Sequence, residues 1–351
     1  MKTMIFLGAG ASAAEGAPVQ SKLFQEYFER RNKQNDYCTY DHQIAHLFIN
    51  LFGIDVRKEN LEDIIFPTFE EVLGLLDIAK IKDQSFVELE NNTMVGNSNQ
   101  VAENRDNLII LLAKCLHDTL NVENKYHSML IKNLKSLNLL KNTIFVSTNY
   151  DLLIDNALMS TNGNRIPNYT IDFSDVRESD IYNKMNQHSP SLIKLHGSLN
   201  WLYCRICDEI VLTPGEKSVV RLTNDIEQSE CMHCNSYLQP IIIPPTYYKN
   251  MSNFHISSLI KNFDKVSREV NHIIFCGYSF PDADLHLKYY FKRAETNRND
   301  NLRVTVINNH EGKSIAAKLC EKNNYNRFFS CRVDYLDSSF QDFAMNPSKF
   351  Y

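Results

Sequence analysis

The chain opens with an unbroken apolar run, Met4 to Leu7, that stops at Gly8-Ala9-Gly10-Ala11-Ser12. A short apolar run closed by neighbouring glycines predicts a buried strand turning sharply into a helix. Comparable β-rich runs recur later: Thr143 to Val146 in NTIFVSTNYD, then SLIKLHGSLNW, NHIIFCGYSFPD and LRVTVINNHEGK. A last strand is expected in FFSCRVDYL, around Val333 and Tyr335. The segments between them carry helical spacing: Asp151–Met159, Ser252–Val266, Asp284–Ala294 and Lys313–Lys322. Strand–helix alternation of this kind predicts an α/β fold, a Rossmann-like doubly wound parallel sheet. Such sheets bind ligands at the carboxyl ends of their strands.

A second pattern interrupts the first. Gln20–Lys33 reads as an amphipathic helix, and His42–Phe52, Phe69–Lys80, Asp106–Leu120 and Tyr126–Leu137 space apolar residues three and four apart. Asn91 to Asn107, rich in Asn and Gln, is expected to be a long polar loop. The resulting organisation is a single domain, 1–351, with a core of 1–34, 141–203 and 239–351. A helical insertion occupies 35–140 and a cysteine-bearing ribbon 203–238.

Composition narrows the classes. Lys and Arg number 37 against 42 Asp and Glu, are scattered, and form no basic footprint for direct nucleic-acid binding. No stretch approaches the roughly 18–20 consecutive apolar residues of a membrane span, and Lys2 with one very short apolar run is no secretory leader. The expectation is a cytoplasmic protein.

Of nine cysteines, four are regularly spaced. Cys204-Arg-Ile-Cys207 and Cys231-Met-His-Cys234 are two CxxC pairs 23 residues apart. Each pair can present two thiolates from one tight turn, so together they predict a closed, structural Zn²⁺ site; a redox dithiol is the alternative.

The remaining polar signals sit at predicted strand ends. Gly8 to Ser12 offers backbone N–H groups and a hydroxyl, suited to a phosphate. Thr148-Asn149-Tyr150-Asp151 offers an amide and a carboxylate, His196-Gly197 an imidazole, and Gly277-Tyr278-Ser279 and Val306-Ile307-Asn308 further small or polar groups. Each also has a plain reading: Asn149, Asp151 or Asn308 as a helix cap, His196 as a structural histidine, Gly277 as a turn.

Taken in order, these motifs resemble the sirtuin family over nearly the whole chain. The resemblance implies that the loop Gly8, Ala9, Gly10 and Ser12 holds the diphosphate of NAD⁺. Thr148-Asn149-Tyr150-Asp151 is similar to the family's QNxD stretch, with Thr148 in place of Gln, and His196-Gly197 to its catalytic HG. The two CxxC pairs follow in the same place. The implied catalytic residues are Asn149, His196 and Asp151, with Thr148, Gly277, Ser279 and Asn308 also lining the dinucleotide. One stretch departs: sirtuin deacylases continue the first loop as GIPDFR, whereas this chain has Gly16-Ala17-Pro18-Val19-Gln20. FEEVLGLLD and GYSFPDADLHLKYYF look like a bacterial sirtuin-like branch found in antiviral defence, whose members hydrolyse NAD⁺.

The expected activity is therefore an NAD⁺ glycohydrolase, an effector of abortive antiphage immunity. The alternatives are an NAD⁺-dependent protein deacylase or ADP-ribosyltransferase, and a non-catalytic NAD⁺ or ADP-ribose sensor. The resemblance further implies a homo-oligomer and a separate restraining partner, a HerA-like ATPase or another sensor protein.

Overall fold

The structure, a computed structural model, describes residues 1–58, 60–84, 86, 98–119, 125–177, 189–214, 230–243, 254–298 and 302–351. In chain order its strands are β1 (Thr3–Leu7), β2 (Thr143–Ser147), β3 (Asp175–Val176), β4 (Leu192–Lys194), β5 (Gly197–Cys204), β6 (Glu209–Leu212), β7 (Gln239–Ile242), β8 (His272–Cys276), β9 (Arg303–Asn308) and β10 (Val333–Asp337). The helices are α1 (Ala9–Ala13), α2 (Leu23–Gln34), α3 (Thr39–Phe52), α4 (Phe69–Lys82), α5 (Ser98–Thr119), α6 (Lys125–Ser136), α7 (Leu153–Thr161), α8 (Phe254–Glu269), α9 (Leu285–Thr296), α10 (Ile315–Phe328) and α11 (Phe340–Met345).

Six strands form a wholly parallel sheet in the order β10-β9-β8-β1-β2-β4. Every residue of β1 and β8 is buried, which is why both read as nearly continuous apolar runs rather than alternating ones. Burying one such side chain, Phe6 for example, stabilises the fold by about 1.5–3 kcal/mol. The chain leaves β1, builds β2 and β4 on one side, then returns to lay β8, β9 and β10 on the other. β1 therefore sits at a topological switch point, flanked by β2 and β8.

A second, four-stranded sheet runs β3-β6-β5-β7, with β5 antiparallel to β6 and β7. The sequence places His196-Gly197 at a strand end but does not reveal that a second strand begins at once. The chain exits the parallel sheet after Lys194, turns through Leu195-His196 and re-emerges as β5. Gly197 permits the turn: its φ is +82°, and a Cβ there would lie 2.1 Å from the Ile241 carbonyl oxygen. Trp201 anchors the second sheet, edge-on to Tyr169 and Phe173 at ring distances of 5.5 and 5.9 Å.

The chain divides into two compact units. Both sheets belong to the first, which includes Met1–Ala17 and most of the chain after 121. The second is formed chiefly by Pro18–Asn121 and contains α2 to α5. Helix α2, assigned from sequence to the core, thus groups with the helical unit, and α6, assigned to the helical block, groups with the sheets. In the second unit Phe24, Phe28, Phe48, Phe66 and Phe69 form a ring cluster, and Thr68 with Glu71 makes a capping box at the start of α4. The expected polar loop is corrected here. From Ser98 the chain is helical, with Val101, Leu108 and Ile109 buried and the Asn107 amide donating to Gln43 at 2.5 Å. Residues 91–97 lie outside the described residues. Among the described residues no helix is long and apolar enough to cross a membrane.

Candidate functional site

Parallel register sets the loops after β1, β2 and β8 side by side: Leu7 pairs with Ser147 on one flank and with Cys276 on the other. The first and third of these loops lock backbone to backbone. Gly8 N–H donates to the Cys276 carbonyl at 3.0 Å, Gly10 N–H to the Gly277 carbonyl at 2.8 Å, and Gly277 N–H to Ile307 at 3.0 Å. Gly277 has φ +64°, and a Cβ there would meet Ala11 N at 2.3 Å. The glycines thus serve close packing before any ligand is considered. The N–H groups of Gly8 and Gly10 are engaged within the protein, and Ala11 N–H bonds Gly8. Ala9 and Gly10 form the exposed crest of the turn.

A chain of polar contacts runs beneath that crest. The Asn149 amide donates to the Gly8 carbonyl at 2.9 Å and to Ser12 Oγ at 2.8 Å. Ser12 Oγ donates in turn to Asp151 Oδ2 at 2.6 Å. The other Asp151 oxygen accepts Leu153 N–H at 3.0 Å, so this residue also opens α7. Lys194, fully buried on β4, donates to the Asp151 carbonyl and to Asp155 Oδ2 at 3.1 Å. Tyr169 O–H donates to the other Asp155 oxygen at 2.6 Å. A buried ion pair stays tolerable only with this degree of satisfaction. Behind α1, Glu15 accepts the N–H groups of Lys125, Tyr126 and His127 at the start of α6. Burial works against that carboxylate, but the His127 contacts outweigh it and hold its pKa below the usual value.

His196 follows β4 and is 1% exposed. Its Nε2 lies 3.4 Å from Asp284 Oδ1, and the Tyr150 ring lies 6.2 Å away between centroids. Tyr278 O–H donates to Asp284 Oδ2 at 2.6 Å. Burial pushes the Asp284 carboxyl up, yet the His196, Tyr278 and His286 groups bring it down to about 2. Asp284 is ionised at neutral pH.

The other sequence candidates lie at neighbouring strand ends. Thr148 N–H donates to Leu7 at 3.2 Å and is half-buried. Ser279 is exposed on the turn after β8. Asn308, buried at the end of β9, donates to the Tyr278 carbonyl at 2.9 Å and to Glu321 at 2.5 Å. Lys194, Asp155, Tyr169, Asp284 and Glu321 were missed from sequence. A lysine inside the apolar SLIKL run was a usable signal, since a charge in a buried strand requires a partner.

The four cysteines converge as their spacing predicted. Their Sγ atoms all lie within 4.8 Å of one another, with Cys204 to Cys234 at 3.5 Å and Cys207 to Cys231 at 3.8 Å. These separations far exceed a disulfide bond, about 2.05 Å. They match the roughly 3.8 Å edge of a tetrahedron built on Zn–S bonds of about 2.3 Å. Desolvation opposes the Cys204 thiolate, but the Ser236 hydroxyl and the Cys207 N–H bring its pKa down to about 6. Cys207, facing Cys234 and the other sulfurs, is pushed up. A shared cation relieves that conflict, so the donor set fits a metal. Residues 215–229 of the expected ribbon lie outside the described residues.

The family model described as SIR2-like domain matches residues 143–328. No curated protein matches the sequence. Among solved structures, the chain is similar to Sir2Tm bound to a propionylated peptide, at 14% identity and TM-score 0.45, covering 99% of this chain and 92% of that one. It is similar also to a Sir2 homolog–NAD complex, at 14% identity and TM-score 0.49, covering 99% and 88%.

Proposed function

Because the chain belongs to the SIR2-like domain family, we propose that it is an NAD⁺ glycohydrolase, releasing nicotinamide and ADP-ribose. The observation that carries this reading is the Asn149 amide, fixed by Gly8 and Ser12 at the switch point of the parallel sheet. Ligands of doubly wound sheets enter there.

The chemistry needs little apparatus. Nicotinamide leaves as a neutral base from a pyridinium, taking the electron pair of the C1′–N bond. Water adds to C1′ and gives up one proton. Asn149 orients the ribose and the water. His196 accepts the water's proton, a role suited to imidazole near neutral pH. Ser12 donates its only proton to Asp151 and accepts from Asn149, so its contribution is to hold Asn149. Asp151 in turn fixes Ser12 and α7. The diphosphate lies over the crest at Ala9 and Gly10, with Thr148 beside it and Gly277, Ser279 and Asn308 toward the adenosine end. The Cys204, Cys207, Cys231 and Cys234 set would hold one structural Zn²⁺, fixing the second sheet beside His196-Gly197.

Ala17-Pro18-Val19-Gln20 lacks the Asp-Phe-Arg that sirtuin deacylases carry after the first loop, which supports hydrolysis over transfer to an acyl-lysine. Uncontrolled NAD⁺ loss is lethal, so we further propose a restrained cytoplasmic enzyme of antiphage defence. Restraint would come from self-association or from a HerA-like ATPase or other sensor, with the helical unit inserted into the NAD⁺-cleaving domain. The test is incubation of purified protein with NAD⁺ alone and chromatography of the products. Nicotinamide with ADP-ribose is expected. Nicotinamide release that depends on an acyl-lysine peptide contradicts the reading in favour of a deacylase.

A further inference from the structure

We propose that Asp284 is a positioning residue for His196, holding the imidazole by its Nε2 edge so that the ring works as a single fixed tautomer. The kinetic part of this inference rests on the glycohydrolase reading; the structural part does not.

The turn after β8 contains two acids with opposite fates. Asp282 is exposed and faces the ammonium of Lys288 at 2.7 Å. Asp284 stands at the N-cap of α9, a position where Asp ordinarily accepts an N–H from the first turn. It makes no such capping bond. Its carboxylate turns inward instead, one oxygen accepting the Tyr278 hydroxyl at 2.6 Å and the other facing His196 Nε2 at 3.4 Å. Both side chains of the pair are 2% exposed. Asp284 therefore forgoes the common use of its position and is held toward the imidazole.

His196, Asp284 and His286 bring ligand-type atoms within 4.8 Å of one another. Tyr278 donates to one carboxylate oxygen and the imidazole of His196 faces the other, so both oxygens of Asp284 meet a group of this chain. Among the described residues, groups near His196 include Asp284 from the turn, His286 from α9 at 6.1 Å between rings, and Tyr150 from the loop after β2. Of these Asp284 is the one anion at neutral pH. Burial raises the Asp284 pKa, and His196 is the largest of the causes that bring it down.

A carboxylate at Nε2 keeps the ring proton there and leaves the lone pair on Nδ1. During cleavage the water O–H bond breaks as its oxygen bonds C1′, and the proton moves to Nδ1. The C1′–N pair departs with nicotinamide. Asp284 stays ionised, stabilises the imidazolium and makes no bond. The proton is later released to solvent.

The test is ¹⁵N-histidine NMR on the full chain, wild type and Asp284→Asn, beside pH profiles of NAD⁺ cleavage. Wild-type His196 should be the Nε2–H tautomer, and removing the neighbouring anion in Asp284→Asn should lower its titration midpoint. The acid limb of kcat/KM should move with it, and kcat should fall about 10–100-fold with KM within about two-fold. A folded Asp284→Asn with unchanged midpoint overturns the proposal. So does an Nδ1–H tautomer in wild type, a measurement that needs no variant to fold. A stoichiometric metal retained by wild type and lost with Asp284→Asn, the cysteine metal remaining, overturns it by making His196 a ligand. If no NAD⁺ is cleaved at all, the glycohydrolase reading fails while the tautomer still decides this one.

Discussion

The strand-end site and the cysteine turns belong to the same unit but bury polar atoms in different ways. At the strand ends the polar groups answer to other protein groups: Asn149 to Gly8 and Ser12, Ser12 to Asp151, Lys194 to Asp155, Asp284 to Tyr278 and His196. At the cysteine turns the thiols face chiefly one another, with Ser236 and a few backbone N–H groups. The first arrangement is held together by the chain itself, with Asp284 Oδ1 and Asn308 Oδ1 left buried without a hydrogen-bond partner. The second gathers sulfurs whose thiolates repel, and it is complete only with a cation. A ligand-binding centre can therefore be pre-shaped by the chain alone, whereas a structural centre can depend on something the chain does not encode.

The largest effect follows from that dependence. Purified protein should carry one zinc per chain, and Cys231→Ser should lose it, forfeiting binding worth about 10 kcal/mol at structural sites. Metal analysis and the thermal midpoint check this; full metal loss with an unmoved midpoint breaks the comparison. Next is Lys194→Ala. It leaves the buried Asp155 carboxylate without its ammonium, and should cost about 3–5 kcal/mol in denaturant unfolding. A loss below about 1 kcal/mol would mean the pair contributes little.

These two centres also mark how far the sequence could be read. The parallel sheet was legible because its central strands β1 and β8, buried at every residue, are nearly continuous apolar runs, and glycine turns follow both directly. The cysteine site was legible from spacing alone. The second sheet was not: β3, β6 and β7 are two to four residues long, and the turn at Gly197 depends on contact with Ile241, far along the chain. Residues 98–107 read as loop because their polarity was taken for solvent exposure, whereas Asn104 and Asn107 are buried in a helix. Asn149, Asp151 and His196 were visible as strand-end residues. Their partners Ser12, Lys194 and Asp284 come from distant segments that only folding brings together.

A smaller effect probes the interlocked glycines. Gly277→Ala adds a Cβ 2.3 Å from Ala11 N at a left-handed φ. It should destabilise by about 3 kcal/mol, while Gly312→Ala, with nothing within 4 Å of its Cβ but φ +75°, should cost only about 1 kcal/mol. Equal losses would show that the close approach is unimportant.

An effect seen only at acid pH lies at the opposite end of β8. Burial, then Arg303, lower the His272 pKa to about 4 from its ordinary 6.5. The unfolded chain takes up this proton first, so His272 costs no stability above pH 6.5 and progressively more as pH falls toward 4. His272→Gln should flatten the stability profile across that window. An unchanged slope would show that another group titrates there.

The central claim is that Asn149, held between Gly8 and Ser12, serves a dinucleotide rather than the fold alone. The direct measurement is the rate of nicotinamide release from NAD⁺ by wild type and Asn149→Ala at matched thermal stability. The account predicts a fall of about 100-fold or more, with the variant still folded. A folded variant that cleaves NAD⁺ at the wild-type rate would contradict it.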